Sequence, residues 1–120
     1  MTRRPPYGTL STIRPNKEPK VLHKAQLLLG AGRLRIHPHA NKRMAEREVI
    51  YFEILQALSH GKHIPKRDRF SREHRKWEYC IEGKTIDSRL LRIGIAFEIV
   101  PETGERLLII TVIDLKTGER

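Results

Sequence analysis

The apolar residues of this 120-residue chain change their period near Gly61, and that change limits the fold more than any other feature. Upstream the spacing is helical. Val21, Leu22, Ala25, Leu28 and Leu29 share one face before Gly30 and Gly32 stop the pattern. Ala40 and Met44 do the same between His39 and Arg47, and Ile54, Leu55 and Leu58 between Tyr51 and Ser59, with His60-Gly61 as terminator. Between the first two helices, Leu34 and Ile36 alternate with Arg33 and Arg35 in a brief strand-like stretch that ends at Pro38. Downstream the period approaches two. Trp77, Tyr79 and Ile81 alternate with Lys76, Glu78, Cys80 and Glu82, and Gly83-Lys84 reads as a turn. Leu91, Ile93, Ile95, Phe97 and Ile99 mark a long strand ending at Pro101. Pro101 to Gly104 suits a hairpin, and Leu107 to Leu115, apolar at nearly every position, suits a strand covered on both faces or paired centrally. The pattern predicts an α+β fold, two or three helices packed against a small antiparallel sheet of three to four strands.

A chain of this length supports one core. Residues 1–20, with Pro5, Pro6, Pro15 and Pro19 among basic and small residues, read as a basic, Pro-rich tail expected to be flexible, and residues 21–120 as a single α+β domain. Lys and Arg number 24 against 14 Asp and Glu, a formal net charge of +10, which favours polyanionic partners. Charge alone does not separate RNA from DNA, an anionic membrane or an acidic protein. With Cys80 as the sole cysteine, no internal disulfide can form, and a reducing, cytoplasmic setting fits best. The first residues lack the apolar run of a signal peptide, and no apolar stretch reaches about 18 residues, so no membrane association is expected.

The run His39-Ala40-Asn41-Lys42-Arg43-Met44-Ala45-Glu46-Arg47, followed by Glu53-Ile54, Ala57-Leu58 and Gly61, resembles the opening of the domain-of-unknown-function 4258 family. The aromatic strand Trp77 to Ile81, the strand Arg92 to Phe97 and Ile110-Thr111-Val112 resemble its closing strands, so the likeness spans roughly 34–113. It implies distant similarity to RelE-type and barnase-like toxin ribonucleases, hence two helices on an antiparallel sheet that supplies an RNA-binding surface. It also implies an acidic or zinc-finger antitoxin as partner, and RNA that is free or ribosome-associated as target. Two residues depart from the family pattern. Glu48 stands where a Gly is usual, and Ile50 where a Ser commonly caps the next helix.

RNA cleavage through the neighbouring 2′-hydroxyl needs a base, an acid and cations for the phosphoryl oxygens. At about 100° per residue, His39, Arg43 and Arg47 fan across only about 80° of one helix face and can converge on one phosphate. The alternative is a solvated face with Glu46 and Glu48 as salt partners. Tyr79 and Arg92 are further catalytic candidates if their strand faces lie open. Tyr79 shares its parity with Trp77 and Ile81, which equally suits core packing, whereas the small residues at 94 and 96 beside Arg92 leave room for a substrate. Candidate RNA-binding residues are Arg33, Arg35 and Lys42, and in the basic segment Lys62, Lys66, Arg67, Arg69, Phe70, Arg72, Arg75 and Lys76, where cations suit phosphates and rings suit bases. The same segment also reads as a solvated loop or a ragged edge strand. His37, His39, His60 and His63 lack a carboxylate or cysteine at ligand spacing, so neither a metal nor another cofactor is expected. The same composition suits a metal-independent endoribonuclease, a nucleic-acid-binding module without chemistry, or an adaptor for an acidic protein.

Overall fold

The apolar faces of the helices and strands meet in one core in the computed structural model, which describes residues 14–115. The helices are α1 (Val21–Gly30), α2 (Pro38–Glu46) and α3 (Tyr51–His60), and the strands are β1 (Leu34–Ile36), β2 (Lys62–His63), β3 (Arg69–Ser71), β4 (Lys76–Lys84), β5 (Leu90–Val100) and β6 (Gly104–Asp114). The architecture is α+β, as the change of period predicts. The sheet is larger than expected, with six strands in the order β1-β6-β5-β4-β2 and β3 also on β4. It is also mixed, because β1 runs parallel to β6. Two of the extra strands, β2 and β3, lie in the basic segment. They are two and three residues long, too short to show alternation among so many charges, and both sit on the outer edge of β4, where charge discourages further pairing.

Ile54, Ala57 and Leu58 of α3 pack with Ile81, Leu91, Ile93 and Ile95 of the sheet, and Ala40 and Met44 of α2 join the same cluster. Gly83 lies inside β4, not in a turn. A Cβ there would collide with the Ala57 carbonyl, so glycine lets α3 rest directly on the strand. The turn falls later, between Lys84 and Leu90, the ends of β4 and β5. Helix α2 starts on Pro38 at its first position, and the His37 ring Nδ1 accepts the His39 amide 3.0 Å away.

Both departures from the family pattern fall in the α2–α3 turn and find local compensation. Ile50 has no side-chain acceptor, but Glu53 reaches back to accept the Ile50 amide at 3.1 Å. Glu48 adopts a φ of 54°, a conformation that suits glycine. Its carbonyl accepts Arg89 Nη1 at 2.9 Å. Arg89 also meets Glu53 at 3.0 Å, Asp114 at 2.9 Å and the Arg47 carbonyl.

The proposed tail lies mostly outside the described residues. The part described, 14–20, runs along the sheet. The Pro15 carbonyl accepts Trp77 Nε1 at 2.8 Å, Lys17 pairs with Asp68 at 2.8 Å, and the Glu18 amide donates to the Tyr79 hydroxyl at 2.7 Å.

Replacing Arg89 with Ala leaves Glu53, 8% exposed, without the cation it meets and takes one partner from the buried Asp114, and should lower stability by about 3 kcal/mol or more in denaturant unfolding. A loss under about 1 kcal/mol would show that water or another cation replaces it. Glu48→Gly should raise stability by up to about 1 kcal/mol, the left-handed cost of a non-glycine residue less the added freedom of the unfolded chain.

Candidate functional site

One face of the sheet carries the helices and the other is open. Alternation along β5 sends Leu91, Ile93 and Ile95 into the core and Arg92 and Gly94 to the open face, with Ala96 on the same side but fully covered. On β6 the alternation is interrupted. Gly94 pairs with Thr111 and Ile95 with Ile109, so Ile110 is an extra residue and Thr111 is carried onto the open face beside it. Helix α2 continues past the end of the short β1 and lies along β6. Ala40 and Met44 point inward, and His39, Arg43 and Arg47 border the open face.

Three grooves cover this face and meet at Thr111. The first, about 620 Å³, is lined by Arg35, His37, His39, Arg69, Lys76 and Thr111, with Ser71, His74 and three glutamates, Glu73, Glu78 and Glu98. Its three cations and three carboxylates balance. The second, about 290 Å³, runs between His39, Arg43 and Arg47 and the β6 residues Thr111 to Ile113. The third, about 270 Å³, holds Arg67, Arg69 and Arg92 over Cys80, Gly94 and Thr111. The second and third together present five arginines and one glutamate. Positive charge is therefore concentrated on either side of Thr111, not in the largest groove.

Most of these arginines have carboxylate partners. Arg43 and Arg47 share Glu46 at 3.0 and 3.7 Å, Arg69 meets Glu78 at 3.0 Å and Arg92 meets Glu82 at 2.9 Å. Arg69 and Arg92 bind through Nε, which leaves their Nη donors without a partner among the described residues. Arg35 and Arg106 converge on Glu98 at 3.2 and 2.9 Å. Burial alone would raise the Glu98 carboxyl, but the two arginine hydrogen bonds outweigh it and hold the group below its ordinary value. Burial pushes the Cys80 thiol up, which disfavours its thiolate.

The sequence-predicted residues divide into three sets. Arg35, His39, Arg43, Arg47, Arg67, Arg69, Lys76 and Arg92 come together on the open face. Lys42, Lys62, Lys66, Arg72 and Arg75 are exposed but line none of its grooves. Phe70 and Arg33 line none of these grooves, and Tyr79 borders the third but packs its ring among buried neighbours. Tyr79 is 5% exposed, its ring lies 5.8 Å from Phe97 and 5.9 Å from His63 in the core, and burial raises its phenol. Phe70 packs edge-on against Trp77, and Arg14 lies over both rings at 5.2 and 5.8 Å, so the aromatic pair is already covered by the chain itself. Arg33 Nε donates to the Glu105 carbonyl at 2.7 Å. His37, Ser71, His74 and Thr111 were not singled out for this face. Their arrival depends on strand pairing and on one bulge, which no local pattern reveals. Among the described residues, no group of three His, Cys, Asp or Glu side chains is arranged to hold a metal, and no helix is long and apolar enough to cross a membrane.

The family model for a domain of unknown function (DUF4258) matches residues 36–114, about two thirds of the chain. The chain belongs to that family. In DUF4258 terms, the matched region runs from the end of β1 through β6 and so contains the whole open face except Arg35, while α1 and the segment before it precede the match. No curated protein and no solved structure matches the chain significantly.

A carboxyl lowered in the folded state contributes stability that is complete above its unfolded value and is lost as pH falls through the lowered folded one. Wild type should therefore lose more stability than Glu98→Gln between about pH 5 and pH 3, in chemical unfolding followed at each pH. Parallel curves would remove Glu98 from the acid response.

Proposed function

We propose that this DUF4258 domain is a metal-independent endoribonuclease of the toxin type, with RNA lying across the open sheet face. The observation that carries this reading is the position of His39. It stands at the border shared by the largest groove and the groove of Arg43 and Arg47, next to the cations that a phosphodiester requires. A single strand crossing Thr111 would have Arg43 and Arg47 on one side of a phosphate and Arg67, Arg69 and Arg92 on the other.

In the reaction, a base removes the proton of the 2′-hydroxyl, and the oxygen attacks the adjacent phosphorus. The bond to the 5′-oxygen breaks as an acid protonates that oxygen, leaving a 2′,3′-cyclic phosphate and a 5′-hydroxyl. His39 is assigned one of the two proton transfers, with His37 and His74 in the same groove for the other. The arginines stabilise charge on the nonbridging oxygens. An acidic antitoxin would meet the same arginines and exclude RNA by competition.

A specific observation favours a second reading, binding without cleavage. The His39 side chain is exposed and, among the described residues, no group is hydrogen-bonded to its ring to fix the tautomer.

Purified protein incubated with RNA and chelator decides between them. Cleavage should leave cyclic or 3′-phosphate ends. His39→Ala should lower the rate by roughly 10²-fold or more with RNA affinity and thermal stability nearly unchanged. Equal cleavage by wild type and variant would remove His39 from the mechanism. Salt-sensitive binding with no cleavage, on free or ribosome-bound RNA, would establish the second reading.

A further inference from the structure

We propose that the Thr111 hydroxyl and the arginines flanking it form a phosphate subsite on the open sheet face, a proposal that rests on reading that face as the RNA surface. Thr111 is the one residue common to all three grooves. It is held there by two features of the β5–β6 pair. The extra residue Ile110 shifts the alternation so that Thr111 emerges on the open face, and Gly94 opposite it provides the space it occupies. A Cβ at position 94 would collide with Thr111 Oγ1. Strand interiors are weakened by glycine, and here the group that approaches the Gly94 backbone closely is the Thr111 side chain itself, so the pair holds the hydroxyl in place.

The chemistry of the junction selects an anion. Among the described residues the Thr111 hydroxyl has no hydrogen-bond partner, and the grooves that meet at it are lined by arginines. Arg43 and Arg47 approach from α2, and Arg67, Arg69 and Arg92 from the other side, with the Nη donors of Arg69 and Arg92 uncommitted. A hydroxyl between guanidinium groups donates to an oxygen that those groups also bind, which is the arrangement a phosphodiester needs. The short side chain matters as much as its oxygen, since an arginine or lysine at 111 would fill the junction where the three grooves meet.

The test uses the full chain as wild type, Thr111→Val and Thr111→Ser. Valine keeps the branched shape and strand preference and removes only the hydroxyl, and serine restores it. Inorganic phosphate is titrated while amide resonances are recorded, and a fluorescent decauridylate and its deoxy counterpart are titrated at low salt. Phosphate should shift the Gly94 and Thr111 amides in wild type. Thr111→Val should weaken both oligonucleotides equally, by about tenfold, the effect of one hydrogen bond to a charged acceptor, with Thr111→Ser within about twofold of wild type. Phosphate shifts that avoid Gly94 and Thr111, or valine binding both strands like wild type, would overturn the subsite. A loss confined to the ribose strand would also overturn it, by assigning the hydroxyl to the 2′-oxygen. Phosphate shifts at Thr111 with no oligonucleotide binding would sustain the subsite and sink the RNA reading instead.

Discussion

Arg89 joins the helical layer to the end of the last strand. Its Nη1 meets Glu53 at the start of α3, its Nε meets Asp114 at the end of β6, and the carbonyls of Arg47 and Glu48 close the C-terminal end of α2 on the same guanidinium. Two buried carboxylates and two helix-end carbonyls thus meet on one guanidinium. Removing a charge from such a group is costly because the partners remain buried, whereas the whole network costs less to keep than to break. The position of α2 follows from it. Because α2 is fixed against β6 by Arg89 at one end and by Ala40 and Met44 along its length, His39, Arg43 and Arg47 stand beside the open face.

The open face itself depends on a smaller constraint. Without the extra residue at Ile110, strand alternation would turn Thr111 into the core and send Val112, now buried, to the surface. The bulge lets β6 serve the core at Leu107, Ile109 and Val112 while presenting Thr111 and Ile113 to the grooves. The net charge of +10 also has a local meaning here. Many cations of this face are paired with carboxylates at the rims, so what is concentrated is the set of remaining arginine donors on either side of Thr111. That arrangement suits a ligand that supplies many acceptors in a row.

The helices and the two long strands were legible because their apolar residues repeat at periods that only one element satisfies. The His39, Arg43 and Arg47 stripe was legible for the same reason, as was the room beside Arg92, since Gly94 and Ala96 share its parity. Three things were not. β1 carries too few residues to announce that it pairs in parallel with a strand some seventy positions later. The covering of Phe70 and Trp77 depends on where residues 14–19 come to rest, and a Pro-rich segment gives no periodic signal. The convergence of His37, His74 and Thr111 depends on register and on a bulge, which are properties of pairs of strands and not of either strand alone.

The central claim is that the face of the sheet opposite the helices is the surface that meets RNA. Amide hydrogen exchange of the full chain with and without a single-stranded oligoribonucleotide tests it directly. The account predicts added protection at 92–96 and 108–113 and along the exposed side of α2, with α1 and α3 unchanged. Protection confined to 62–76, or centred on α3, would contradict it.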